Sequence, residues 1–263
     1  FTDTILTTDA FAVLPTSSAL MTATANAPKI APAAIISAGG EAIGVIGATT
    51  QLLASISAPG DVEVLSGGSN DMQALADILN PIIASMSADK IVLVSHLQQI
   101  ALEKELAGLL NGVDVIIAGG SDTLQADETD ILRPGDTAAE DYPFLTTNME
   151  GNPVAIVSTD GQYSYVGRLV VEFDTDGHLL TGTIDSAVSG AYATTDDTIT
   201  TLWGDTTTPF AAGTKGGAVE TLTDALSGIV TAKDGIVYGQ TSVYLEGRRT
   251  NVRTEETNLG TLS

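Results

Sequence analysis

The chain has 263 residues, 43% of them apolar, with ten Lys and Arg against 33 Asp and Glu and no cysteine. This is enough apolar material for a sizeable core, and the lack of cysteine excludes disulfides, thiolate metal sites and cysteine nucleophiles. A net charge of −23 opposes binding to nucleic-acid phosphates or to an anionic membrane surface. The acidic residues are dispersed, as on a solvated surface or on one that binds divalent cations. No apolar stretch reaches the ~18 residues that span a bilayer, and the start lacks a basic segment followed by an apolar one. A signal peptide has therefore been removed or never existed.

In chain order, Glu41 to Ala48 is a short β-branched run after Gly39-Gly40 and predicts a buried strand introduced by a turn. Asn70 to Met86 places Met72, Leu75, Ile78, Leu79, Ile82, Ile83 and Met86 at helical spacing, with Pro81 expected to kink or split the helix. Lys90 to Ser95 and Val113 to Ala118 are continuous apolar runs. Between them, Gln98 to Leu110 looks helical, with Leu102, Leu106, Leu109 and Leu110 on one side. Buried strands alternating with helices predict a parallel or mixed sheet in a layered α/β domain.

Beyond about residue 150 the pattern changes. Pro153 to Thr159, Val166 to Phe173 and His178 to Asp185 read as strands of an antiparallel extension, the last two joined by a turn at Asp174 to Gly177. Residues 186–235 are rich in Thr, Ser, Gly and Asp, with a helix-like stretch at Ala218 to Val230, and Gly235 to Glu246 reads as a strand or hairpin.

Metal-assisted phosphoryl chemistry needs imidazoles and carboxylates at the C-terminal ends of adjacent parallel strands. Two places have this setting: Ser95-His96 after one strand and Gly119-Gly120-Ser121-Asp122-Thr123 after the next. Spacing alone leaves His96 either a ligand or a hydrogen-bonded loop histidine, and leaves Asp122 either a cation ligand or the residue of an Asx turn. His178, beside a turn, reads as an exposed loop residue. Gly39-Gly40 and Gly67-Gly68 fit no dinucleotide or phosphate-loop spacing, and no nucleophile elbow is present.

The series AIGVIGATT, KIVLVSHLQQIALEKELAGLLNGVDVIIAGGSDTL, YPFLTTNMEGNPVAIVSTDGQYSYVGRLVVEFDTDGHLL and VYLEGRRTNVRTEETNLGTL resembles, in that order, the 5′-nucleotidase-like metallophosphoesterases. The similar region runs over roughly residues 30–263. The resemblance implies a metallophosphoesterase-like sandwich over 1–185, a partial catalytic domain. Over 186–263 it implies an extension and the start of a C-terminal 5′-nucleotidase-type domain, whose opening helix Arg253 to Gly260 resembles. It implies His96 as a metal ligand. Gly120 stands where the usual Gly-His-Ser-His loop has its first imidazole and Asp122 where it has its second, so Asp122 alone of the two can still ligate.

The departures from the family pattern lie upstream. Thr4 to Pro15 is similar to the opening strand, but Ala10 and Ala12 hold the positions of its Asp and His, and the segments carrying further ligands and the catalytic His have no counterpart between Pro15 and Ile30. Three readings follow: segments of a larger chain are missing, the chain is a cleavage product, or it is a pseudoenzyme. The resemblance implies a metal-dependent phosphomonoesterase of nucleotides or other small phosphate esters, extracellular or periplasmic and of bacterial secreted type. Its cofactors would be divalent ions (Zn, Mn, Mg or Ca). If 263 residues are the whole chain, inactivity is expected. The alternative is an inactive, phosphatase-derived binding or structural protein that self-assembles through exposed strand edges.

Overall fold

The computed structural model describes residues 11–13, 33–60, 64–65, 68–235 and 240–262. They divide between two compact units, Phe1–Thr198 and Ile199–Ser263.

The first unit is built on a seven-stranded mixed sheet. Its strands are β1 (Phe11–Val13), β2 (Ala33–Ala38), β3 (Glu41–Thr49), β4 (Lys90–His96), β5 (Val115–Gly119), β6 (Phe144–Thr147) and β7 (Pro153–Val157), in the order β1-β2-β3-β4-β5-β7-β6. The centre, β3-β4-β5-β7, is parallel; β2 and β6 run antiparallel to it, and the outermost β1, antiparallel to β2, runs in the direction of the centre. The turn between β2 and β3 uses Gly39 and Gly40, both at positive φ (61° and 90°). Two left-handed residues in succession are what a two-residue hairpin loop requires, and glycine takes them without a Cβ penalty.

Helix α1 (Leu53–Ile56) is a single turn. Helices α2 (Met72–Ser85) and α3 (Ile100–Ala107) cover one face of the sheet. Leu75, Leu79 and Ile83 of α2 and Leu106 of α3 join Ile46, Leu93, Ile116 and Ile156 of the strands in the main core. Asp71 caps α2 by accepting from the Ala74 N–H at 2.9 Å. Of the kink or split expected at Pro81, the split does not occur: α2 runs continuously through it. Leu79 and Ile83, on either side of Pro81, are both buried, so packing onto the sheet outweighs the lost backbone bond.

Helix α3 is shorter than its predicted span, and its buried face differs. Glu103, Leu106 and Ala107 are buried, as is Leu110 just beyond the helix, whereas Leu102 and Leu109 are only half-buried.

The other face of the sheet is covered by residues 169–184. Leu169, Val171, Phe173, Leu179 and Ile184 pack there against Val92, Val115 and Ala155. The hairpin expected between 166–173 and 178–185 is largely replaced. Only the Phe173–Leu179 bridge flanks the turn, a 3₁₀ turn occupies Thr181–Thr183, and β8 (Tyr165–Arg168) pairs instead with β9 (Gly190–Ala193). Likewise Pro153–Val157 belongs to the main sheet, parallel to β5, and not to an extension. The alternating apolar residues of 169–173 pack on the sheet, while their backbone bonds piecemeal: the Val170 N–H donates to Ser189 Oγ at 3.0 Å and the Glu172 carbonyl accepts from the Leu180 N–H at 2.9 Å.

Across the division between the units runs α4 (Asp196–Trp203). The second unit holds α5 (Lys215–Asp234), α6 (Arg249–Thr254) and α7 (Asn258–Leu262). Thr214 caps α5 by accepting from the Gly217 N–H at 3.0 Å. The expected strand at 235–246 lies partly outside the described residues, and 240–246 form no strand. Of the strand-like stretch Thr4 to Pro15, only β1 is described.

Candidate functional site

Strands β4 and β5 are adjacent and parallel, with His96 opposite Gly119, and β3 brings Thr49 opposite His96 on the other side. Their C-terminal ends therefore form one rim, from which the loop Gly119-Gly120-Ser121-Asp122 departs. Gly120 and Asp122 are both at positive φ (87° and 51°), so this loop is tightly turned. β7, parallel to β5, delivers Ser158, Thr159, Asp160 and Gly161 to the same rim. Asp122 and Asp160 both border a cavity of about 620 Å³ whose floor includes Val115 and Ile117. The Asp122 carboxylate lies so close over Gly161 that a side chain at 161 would overlap it.

Period-two alternation puts Val94 and His96 on the sheet face that carries this cavity. The His96 imidazole rests on the two loop glycines. A methyl at Gly119 would lie 3.4 Å from Nδ1, and one at Gly120 would lie 2.8 Å from Cδ2 and Nε2. His96 and Asp122 are exposed, and no described residue ties up either side chain by a hydrogen bond or ion pair.

Behind the rim stands Glu103 of α3, fully buried. Its Oε1 accepts from the Ser95 hydroxyl at 3.0 Å and from the Leu97 N–H at 3.3 Å, the residues on either side of His96. Its Oε2 is buried with no hydrogen-bond partner among the described residues. Burial pushes the Glu103 carboxyl above the ordinary range, against the donors from Ser95, its own N–H and Leu97 that pull it down. The sequence reading missed Glu103, although its spacing to Leu106, Ala107 and Leu110 put a carboxylate on the buried side of the helix. It also missed Asp160, whose place at the rim depends on β7 lying beside β5.

The opposite end of the parallel strands holds a second group. Asp174, Asp176 and His178 are the only described Asp, Glu and His residues whose donor atoms, three together, lie within 4.8 Å of one another. They form the turn between residues 173 and 179. Asp174 Oδ1 accepts from the Asp176 and His178 N–H groups at 2.9 and 2.8 Å, and His178 Nδ1 is 3.5 Å from Asp174 Oδ2. His178 thus lies in the turn as expected, half-buried and turned onto Asp174. Asp176 and His178 share a cavity of about 170 Å³ with Asp114. The buried Asp114 carboxylate accepts from the Ile91 N–H at 2.7 Å, and burial pushes its pKa up to about 7.

No protein-family model matches the chain. Among curated proteins it is 30% identical over 159 residues to the 5′-nucleotidase of Rattus norvegicus, covering 59% of this chain and 26% of that one. The chain thus spans about a quarter of the length of the curated relatives it matches. Among solved structures, the 5′-nucleotidase precursor of Thermus thermophilus superposes with a TM-score of 0.62 at 29% identity, over 89% of this chain and 41% of that one. The NAD nucleotidase of Haemophilus influenzae gives a TM-score of 0.51 at 26% identity, over 72% of this chain and 34% of that one.

Proposed function

We propose that this chain, which is 5′-nucleotidase-like in sequence and fold, carries part of the catalytic rim of a metal-dependent phosphomonoesterase, with His96 and Asp122 as metal ligands. The observation that supports this most is the pairing of β4 with β5, which sets His96 opposite Gly119 and sends the Asp122 loop out from the same rim.

The donors fit a divalent ion in kind. An imidazole and a carboxylate suit Zn²⁺ or Mn²⁺, and neither is engaged by a described residue. They do not suffice in number, because among the described residues neither belongs to a group of three Asp, Glu or His whose donors all lie within 4.8 Å of one another. The described residues therefore contribute ligands to a centre and do not complete one. Divalent ions held there would polarise a phosphoryl oxygen and supply a hydroxide at neutral pH.

The chain's own residues do the rest. The two loop glycines admit the His96 ring, Gly161 admits the Asp122 carboxylate, and the cavity beside them gives a phosphate ester an apolar floor with Asp160 at its mouth. Nucleotides are the substrates to test first, given the names of the relatives. An extracellular or periplasmic setting is part of the same proposal. No described helix is long and apolar enough to cross a membrane.

Calorimetric titration of the purified chain with Zn²⁺ and Mn²⁺ tests the reading. His96→Ala and Asp122→Ala should each weaken binding by about tenfold or more, while hydrolysis of AMP and p-nitrophenyl phosphate by the 263-residue chain alone stays at background. Unchanged affinity in both variants would refute the ligand assignment. Robust turnover would refute the incompleteness of the centre.

A second reading, a non-catalytic assembly protein, is favoured by one observation in the second unit. Val219, Leu222, Leu226 and Ile229 of α5 form a stripe at spacings of three, four and three residues and are all exposed. A second copy of this helix would match that seam. Light scattering on the wild type and on Leu222→Lys with Leu226→Lys decides it: a wild-type dimer abolished by the substitutions supports assembly, and a wild-type monomer rejects it.

A further inference from the structure

We propose that Glu103 is the positioning residue of the rim: its carboxylate clamps the strand end on both sides of His96 and so sets the direction in which the imidazole is presented. The inference deepens the reading of His96 as a metal ligand and rests on it for its functional meaning. The geometric part stands independently.

Four observations lead to it. Glu103 is fully buried, although α3 offers an apolar sheet to pack on, where a leucine or methionine would be the ordinary occupant. One oxygen collects the Ser95 hydroxyl and the Leu97 N–H, so the side chain before His96 and the peptide unit after it are tied to a single atom. The second oxygen is buried without a partner among the described residues, an arrangement that costs stability and that a simple helix contact would not need. Finally, Gln98 follows at a φ of +75°, so the chain turns sharply out of β4 directly after the clamped residues.

The clamp and the glycines act on different parts of the same residue. Glu103 holds the Ser95 side chain before His96 and the backbone N–H after it, and Gly119 with Gly120 leaves room for the ring to lie on the loop. With both in place, the ring nitrogens face a limited set of directions. Ligand affinity then depends on Glu103 although Glu103 does not itself reach the ligand position. An amide would keep the accepting Oε1 but would put an NH2 group at the place of Oε2, where no described acceptor meets it, so a carboxylate suits this buried space better.

The chain has only two histidines, which makes the test direct. The imidazole C–H resonances of His96 are assigned by comparison with His178→Gln, and His178 serves as an internal control about one sheet length away. In the metal-free chain, Glu103→Gln should shift and broaden the His96 ring signals and leave those of His178 in place. In calorimetry it should weaken Zn²⁺ binding by about tenfold. Ser95→Ala, which removes one of the two donors and keeps the carboxylate, should give a smaller change of the same kind. It stands in for Glu103→Gln if that variant does not fold.

Unchanged His96 ring signals in Glu103→Gln, or in Ser95→Ala where the first is unfolded, would overturn the proposal. If the ring signals move but the wild-type chain binds no Zn²⁺, Glu103 positions His96 and it is the metal-ligand reading that fails.

Discussion

The His96 imidazole and Gly120 are so closely apposed that a methyl group on the glycine would sit 2.8 Å from ring atoms Cδ2 and Nε2, and 3.0 Å from Gln98 Nε2. Gly120 also has a φ of +87°, where a side chain is strained whatever the space around it. Gly120 is therefore fitted to its neighbour, and no side chain can be added there without displacing the His96 ring.

Gly120→Ala should destabilise the first unit by about 1–3 kcal/mol from backbone strain alone, and displace the His96 ring. Gly47→Ala is the matched control. Gly47 lies in neighbouring β3, has an ordinary φ, and an added methyl meets nothing within 4 Å. It should be neutral or slightly stabilising. Urea denaturation of the two variants checks the contrast, and equal losses would show that the His96–Gly120 contact carries no strain.

Asp114 gives a pH dependence with a definite sign. Burial raises its carboxyl from the usual 3.8 to about 7, against the Ile91 N–H, His178 and Lys90 that pull it down, while Asp89 pushes it up. The folded state therefore prefers the protonated acid. The associated stability is fully present below pH 4 and is lost as pH rises through about 7, with an upper magnitude on the order of 4 kcal/mol. Asp114→Asn keeps an acceptor for the Ile91 N–H and removes the charge. Its melting temperature should exceed that of the wild type at pH 8, with the gain shrinking toward pH 5. A gain independent of pH would mean that the buried carboxyl is not the titrating group.

The sequence made the parallel centre legible at β3, β4 and β5, continuous apolar runs with helices between them, whereas β7, equally apolar, read as part of an antiparallel extension because no helix separates it from β5. The rim followed from that: two strand ends with His96 and a Gly-rich loop must meet if the strands are neighbours, and they are. The failures share a cause. Periodicity reports which side chains are buried and not what the backbone pairs with. Leu169, Val171 and Phe173 alternate correctly, yet they pack on the sheet face and form no hairpin strand. Pro81 was given too much weight locally because the packing of Leu79 and Ile83 around it is a tertiary effect. Glu103 was hidden in a charged helix surface, ALEKEL, where its spacing to Leu106 and Leu110 is the signal that separates it from the exposed Glu105 two residues on.

The cap of α2 offers a further check on local energetics. Asp71 accepts from the Ala74 N–H at 2.9 Å, and its own N–H donates to Gln51 Oε1 at 2.7 Å. The helix start is thus tied to the segment that leaves β3. Asp71→Ala should cost about 1 kcal/mol, the usual loss of a side-chain cap. Asp71→Asn, which retains the acceptor, should recover most of it in the same denaturation assay. Failure of the amide to rescue would assign the loss to charge at the helix terminus and not to the hydrogen bond.

Neighbouring residues of β5 test how far the sheet is covered on its two faces. Ile116 is fully buried under the helices, whereas Ile117, pointing the other way, is 46% exposed, as is Val94 of β4 at 43%. Central parallel strands normally bury both faces, so this half of the sheet, at the rim beside the cavity, is the thinly covered one. Ile116→Ala should cost about 2–5 kcal/mol. Ile117→Ala should cost about 1 kcal/mol, because much of the side chain is already in water. Equal losses at the two positions would mean that the Ile117 face is covered in solution, and a melting temperature that rises with protein concentration would then identify the cover as a second copy of the chain.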